Sequence, residues 1–276
     1  TGLKGGHSGM DINLGRANAN KLACRLLFNV IKQYGACIST LTGGTLRNAI
    51  PREVHAVLAV PEANAKAFES FVKKTEKTLK GEFGNTEPEM SLKVKKVDTP
   101  AKVIETKAQN QFIGLIFAIP NGVMRMSDSV KDLVETSNNL AAVTAENGTM
   151  TALCLLRSSV NTAKDAMCDR LTAIAELAGF DIELTGAYPG WAPNMESPIL
   201  NTCMKIYKKK FGNDPKVMAI HAGLECGLFG VNYDWDMVSF GPTIEHPHSP
   251  DERVNIASVG KFFDFLKEVL KNIPAE

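Results

Sequence analysis

Between Arg16 and Tyr34 the apolar residues Leu22, Leu26, Val30 and Tyr34 recur every fourth position, with Leu27 and Ile31 beside them. That stripe predicts an amphipathic helix, and Gly35 is its natural stop. Two short apolar runs follow, Ala36–Leu41 and Glu53–Val60, separated by Thr42-Gly-Gly-Thr45 and closed by Pro61. They predict two strands. Residues Glu62–Lys80 restore helical spacing up to Gly81, Gly81–Met90 is polar and loop-like, and Ser91–Val97 has the pattern of a strand with lysines on its wet face.

Asp98-Thr-Pro100 offers a cap and a first-turn proline for a helix running to Ile119, which Pro120-Asn-Gly122 breaks. Glu135–Thr144 and Thr149–Ser158 flank Asn147-Gly148, the pair that a tight hairpin turn demands. A helix from about Val160 to Ala178, stopped by Gly179, and a strand Phe180–Leu184 complete this region. The order helix, strand, strand, helix, strand thus occurs twice, the pattern of a duplicated α+β layer, although the residues show no self-similarity.

At Tyr188-Pro-Gly-Trp-Ala-Pro193 the composition changes, so a domain boundary is placed near 185–188. Beyond it the pattern predicts a helix Ser197–Phe211, a strand Lys216–His221, a turn Ala222–Gly227, a strand near Met237–Phe240, a loop Gly241–Asp251 and a last helix Glu252–Asn272. Alternating helix and short strand suggests an α/β unit around a buried sheet. The expected fold class is α+β followed by α/β.

Lysine and arginine number 31 against 30 acidic residues, so a net charge of +1 disfavours nucleic acid as a partner. The longest apolar run, Phe112–Ile119, has the length of a core segment, and no membrane partner is expected. The six cysteines are widely scattered in apolar stretches, which suggests free thiols in a reducing, cytoplasmic compartment. The start, Thr1-Gly-Leu-Lys, carries no signal-peptide features and reads like the interior of a longer chain.

The densest set of ligand-type side chains is Glu245-His-Pro-His-Ser-Pro-Asp-Glu252. Imidazole and carboxylate suit zinc, and since His246 and His248 alternate in direction, one of them is expected to be a ligand. The alternative is that Ser249-Pro-Asp-Glu252 caps the next helix. His7 stands between glycines in Gly5-Gly-His-Ser-Gly9, where turn chemistry and ligand approach are both open readings. Arg157 ends the apolar run Leu153-Cys-Leu-Leu156, either in water or gripping a carboxylate. Glu225 follows His221 in a strand-to-turn segment of the kind that carries ligand contacts in α/β folds. There is no serine-hydrolase elbow, phosphate loop or His-Glu-x-x-His helix.

Taken in order, Gly5-Gly-His-Ser-Gly9, Gly15-Arg-Ala-Asn-Ala19, Leu156-Arg-Ser-Ser159, His221-Ala-Gly-Leu-Glu-Cys-Gly227 and the stretch Gly241–Arg253 resemble the aminoacyl-histidine dipeptidases of the dinuclear-zinc M20 metallopeptidase family. The resemblance implies a lid and dimerisation domain over residues 1–186 and the C-terminal part of a catalytic domain over 187–276. It implies zinc-dependent hydrolysis of short peptides, preferentially Xaa-His, by a homodimer joined through the lid. The upstream half, with most metal ligands and the general base, would lie outside this chain, leaving it inactive alone. Two zinc ions would serve the intact enzyme, with cobalt or manganese as substitutes. His248 would be the metal ligand here, with His246 as the alternative. His7 would polarise the scissile carbonyl, and Arg157 would bind the substrate carboxylate. Asn139 would approach substrate, with Asn138 and Asn48 as alternatives, and Glu225 and Gly241 would sit in substrate-contacting loops. Two further readings stay open: another activity of the same family, such as an aminoacylase or tripeptidase, and a non-catalytic dimerisation module.

Overall fold

A computed structural model of the chain describes residues 1–192, 194–218, 224–245 and 252–273. It divides at Ala187/Tyr188 into two compact units.

The first unit begins with β1 (Gly6–His7), a two-residue strand, and α1 (Ala19–Tyr34). Asn18 caps α1, its side chain accepting from the Lys21 amide, so the helix starts three residues later than its apolar stripe suggested. Gly35 ends it in the left-handed region at φ 65°. Then come β2 (Cys37–Gly43), β3 (Ala49–Ile50) and β4 (Val54–Ala59), with a single 3₁₀ turn, Glu62–Asn64, leading into α2 (Ala65–Phe83). Gly81 is inside α2, not beyond it. Next are α3 (Thr106–Ala118), β5 (Gly122–Met126), β6 (Val134–Glu146), β7 (Thr149–Ser158) and α4 (Asn161–Ala178).

The long strand β6 organises the sheet. Along one edge it pairs with β7 throughout; the other edge is shared end to end by β5 and β2, and β4 lies outside β2, every pairing antiparallel. Asn147 and Gly148, at φ 50° and 80°, close the β6–β7 hairpin as the Asn-Gly pair requires. In β7 the exposed Thr149, Thr151 and Leu153 alternate with Met150, Ala152 and Cys154, which join the core. That core gathers Leu27 and Val30 of α1, Phe68 of α2, Phe112 and Ile116 of α3 and Leu171 of α4 on the same side. All four helices therefore cover one face of the sheet. Across α1 and α3, Lys21 reaches the last turn of α3, donating from Nζ to the carbonyls of Ile116, Phe117 and Ile119 at 2.7–2.8 Å.

Several predicted elements do not form. Ser91–Val97 makes no ladder: Ser91 bonds Thr1 in both directions, while Val94 and Val97 stay exposed. The helix expected from Asp98 waits until Thr106, capped by Glu105, because the Ile104 N–H is already given to the Ile38 carbonyl of β2. Phe180–Leu184 is not a strand either; Phe180 turns inward against the Phe112 ring at 5.7 Å. Conversely, Gly122–Met126 is a strand where only a helix break was predicted, since β6 extends beyond β2 and offers an edge to pair. The duplicated layer thus loses its last strand in both halves, and all the strands of the two halves except β1 and β3 share one sheet.

The second unit holds α5 (Pro198–Phe211), α6 (Glu225–Asn232), the short ladder of β8 (Ile244–Glu245) with β9 (Arg253–Val254), and α7 (Ile256–Asn272). Ser197 caps α5 and receives the Leu200 amide. Its core joins Cys203, Phe265 and Val269, with Tyr207, Phe211, Val238 and Phe240 packed around them. The predicted strands are not formed here among the described residues: Lys216–Met218 and Met237–Phe240 find no ladder partner, and Ala219–His221 lie outside the description. A strand satisfies its backbone only by pairing with a neighbour. Where a turn was expected at Ala222–Gly227, residues from Glu225 onward are helix. The last helix starts at Ile256, four residues later than expected, with Asn255 as its cap accepting from the Ser258 amide at 3.2 Å; Ser249–Asp251 lie outside the described residues.

Candidate functional site

Strand alternation sets which residues face away from the helices. Ser137 pairs with Arg157 and Asn139 with Leu155, and both pairs lie on the sheet face opposite the helical core. Two N-terminal segments cross that face: the loop around β1 and the turn that leads into β3. Gly6 and His7 of β1 pair with Ile50 and Ala49 of β3, and the Ser8 amide extends the ladder to the Asn48 carbonyl at 2.8 Å.

His7 is held from several sides. Its backbone N–H donates to Asp11 Oδ2 at 2.8 Å, and its Nδ1 accepts the Gly9 amide at 3.2 Å. With Nδ1 an acceptor, a neutral ring carries its proton on Nε2. Asp11 also faces Arg16 at 3.3 Å, and Arg16 Nη1 donates to the Gly5 carbonyl at 2.6 Å. Gly6, at φ 140°, leaves the room this ion pair fills; a Cβ there would overlap Arg16 and Asp11.

Arg157 reaches the same place. A Cβ on Gly9 would stand 3.0 Å from His7 Cε1 and 3.3 Å from Arg157 Cζ, so imidazole and guanidinium meet over this one glycine. Arg157 Nε is buried and has no hydrogen-bond partner, and the side chain forms no ion pair among the described residues. Burial pushes its pKa below the usual guanidinium value. A half-buried cation with an unused buried donor has the chemistry to receive a carboxylate.

The asparagines divide. Asn139, 1% exposed, donates from Nδ2 to the Ala49 carbonyl at 2.7 Å and toward that of Arg47 at 3.4 Å, and its Oδ1 faces Asn18 Nδ2 at 3.4 Å. Asn138 is fully buried and donates to the Pro120 carbonyl at 2.7 Å. Asn48 is half-buried, and its side chain makes no hydrogen bond among the described residues. In the second unit, Glu225 is exposed in the first turn of α6, and Gly241 is exposed with nothing within 4 Å of its would-be Cβ. His221, His246 and His248 lie outside the described residues. Among the described residues no three His, Cys, Asp or Glu side chains group to hold a metal ion.

Sequence reasoning singled out His7 and Arg157 separately but not their shared neighbour Gly9, nor the Asp11–Arg16 pair beneath the loop. The signal available was only a carboxylate four residues beyond a glycine-bracketed histidine.

Residues 1–87 match the model of the M20 peptidase dimerisation domain. The chain is 43% identical over 276 residues to the cytosol non-specific dipeptidase of Escherichia coli (strain K12), covering all of this chain and 57% of that protein. It superposes over its full length on 56% of the crystal structure of an aminoacylhistidine dipeptidase from Vibrio alginolyticus, at a TM-score of 0.92 and 44% identity. As a whole the chain is similar to these two dipeptidases, and residues 1–87 carry the likeness to the M20 peptidase dimerisation domain. It spans somewhat more than half the length of the curated relative it matches. The mixed α and β architecture and the antiparallel sheet of the first unit agree with that kinship, and the M20 match covers β1, β3 and the His7 loop. No helix among the described residues is long and apolar enough to cross a membrane.

Proposed function

We propose that this chain forms the lid and the C-terminal catalytic segment of a cytoplasmic, zinc-dependent dipeptidase that acts on short peptides, Xaa-His among them. The observation that carries the reading is the meeting of His7 and Arg157 over Gly9. Arg157 grips the substrate's C-terminal carboxylate with a half-buried guanidinium that has no ion pair among the described residues, which limits substrates to short peptides. The His7 ring, whose Nδ1 takes the Gly9 amide, donates from Nε2 to the charge that develops on the scissile carbonyl oxygen; one such donor contributes roughly 2.7–4 kcal/mol in other hydrolases. Asn48, whose side chain has no other bond among the described residues, is the substrate-side asparagine on the adjoining turn. The described residues do not themselves build a metal centre. Zinc enters the proposal through His248, the ligand this chain contributes, with the remaining ligands drawn from the part of the relatives' length that this chain does not span.

One feature of the last helix supports the incomplete-domain reading of the second unit. Ile256, Val259, Phe263 and Leu270 of α7 are exposed on the side away from buried Phe265 and Val269. A helix apolar on both sides is covered on both sides in a finished domain. The dimerisation-domain match over 1–87 supports a homodimer joined through the first unit.

The test compares a dipeptide with its C-terminal amide as substrates of the intact enzyme carrying Arg157 or Arg157→Met. The native enzyme is expected to prefer the free carboxylate by at least tenfold, and the variant to lose that preference. An undiminished preference in the variant removes Arg157 from the site. His248→Ala should abolish zinc-dependent turnover without destabilising α7, whose cap is Asn255.

A further inference from the structure

We propose that Asn139 is a positioning residue for the His7 loop and does not itself touch substrate. The inference rests on the proposed role of His7 and on the bonds that tie its loop and the turn beneath it to the sheet. The ladder of β1 with β3 is two residues long, far below the length at which a hairpin is stable by itself. Ser8 adds one backbone bond, to Asn48. The turn beneath is tethered to the sheet by the Asn139 side chain, whose Nδ2 hydrogens go to the Ala49 and Arg47 carbonyls on either side of Asn48.

Asn139 is in turn fixed from below. Its strand is paired on both edges at this end, its side chain is 1% exposed, and its Oδ1 faces Asn18. The amide of Asn18 also bonds Asn121 Oδ1 at 2.9 Å and the Leu140 carbonyl at 3.0 Å, while its Oδ1 caps α1. A continuous set of hydrogen bonds thus runs from the cap of α1, through Asn139, to the turn that carries Asn48 and, by the Ser8 bond, to His7. Both amide hydrogens of Asn139 are committed to backbone, which leaves none for a ligand. The 2.7 Å bond to Ala49 is the strong link; those at 3.4 Å are long and contribute orientation.

The experiment uses the ¹⁵N-labelled chain and three probes. Asn139→Leu keeps the side chain's approximate bulk and removes both donors. Exchange of the Ser8 amide is expected to accelerate about tenfold or more. The His7 Nδ1 resonance, in alkaline buffer where the ring is neutral, is expected to move from the acceptor position toward a mixture of tautomers. The buried Ile38 amide, which donates to Gln109 Oε1, gauges the rest of the fold and should not change. Unaltered Ser8 exchange and Nδ1 shift overturn the proposal. Should Asn139→Leu unfold the chain, the same measurements are made on Asn139→Ala: faster Ser8 exchange supports the positioning role, and unchanged exchange overturns it. In the intact enzyme Asn139→Leu is expected to lower kcat with KM little changed. A raised KM with an unmoved Ser8 amide marks a substrate contact and overturns the proposal. A loosened Ser8 amide with unchanged kcat leaves the positioning intact and removes His7 from the proposed mechanism.

Discussion

The guanidinium carbon of Arg157 and Cε1 of His7 stand 3.3 and 3.0 Å from the point that a Cβ on Gly9 would occupy. A residue from the end of a long strand and one from a two-residue strand at the other end of the unit's sequence thus share one glycine as their floor.

Gly9 is therefore the most sensitive small residue of the site. Its φ is outside the left-handed region, so alanine meets no backbone penalty, only the two side chains. Gly9→Ala is expected to cost about 1 kcal/mol of stability through overpacking, and to lower kcat/KM of the intact enzyme by about tenfold as ring and guanidinium shift a few tenths of an ångström. Urea unfolding and steady-state kinetics check both; unchanged kinetics would separate Gly9 from the site.

Arg157 should show opposed effects on stability and activity. A half-buried cation without an ion pair among the described residues adds little to the fold and leaves a buried Nε unsatisfied. Arg157→Met is accordingly expected to be neutral or to stabilise the chain by about 0.5–2 kcal/mol, while removing the preference for free carboxylates. A marked loss of stability by thermal unfolding would mean that the guanidinium is structurally required.

Lys21→Met removes three charge-assisted bonds at the end of α3. The expected loss is about 1.5–3 kcal/mol in urea unfolding, with early exchange at the Ile119 amide, which bonds Leu115 in that last turn. Loss below about 0.5 kcal/mol, the level of an ordinary surface change, would mean that water replaces the ammonium at no cost.

Cys24 gives a pH signature. Burial raises its thiol from the ordinary 9.0 to about 12. A folded-state value above the unfolded one contributes stability that is complete below pH 9.0 and lost as pH rises toward about 12. Cys24→Ala should flatten that alkaline decline in unfolding free energy. In the native chain, Cys24 should resist alkylation while the half-buried thiols of Cys37, Cys168 and Cys226 react; prompt labelling of Cys24 at neutral pH would contradict its burial.

The helices with an unbroken apolar stripe and a terminal glycine, α1, α4 and α5, were legible in the sequence, as was the Asn-Gly hairpin, because each is decided by local spacing and turn chemistry. The strands near Ser91, Phe180 and Met237 were misread because their local patterns say nothing about whether a neighbour exists to take their hydrogen bonds. β5 was missed for the converse reason: β6 offered it an edge. His7 and Arg157 stood out one at a time as residue types in unusual settings, whereas Asp11 and Asn18 carry no mark of their own, and nothing local ties Gly9 to Arg157 or Asn139 to the His7 loop.

The sequence by itself thus determined the local choices: where α4 and α5 begin and stop, which turn is tight, and which side chains have the chemistry for a carboxylate or a carbonyl oxygen. Only the tertiary structure decided that His7 and Arg157 meet, and that Asn139 serves the loop between them. Strand pairing joins residues more than a hundred positions apart, and the energy of such a contact depends on partners that no local pattern can name.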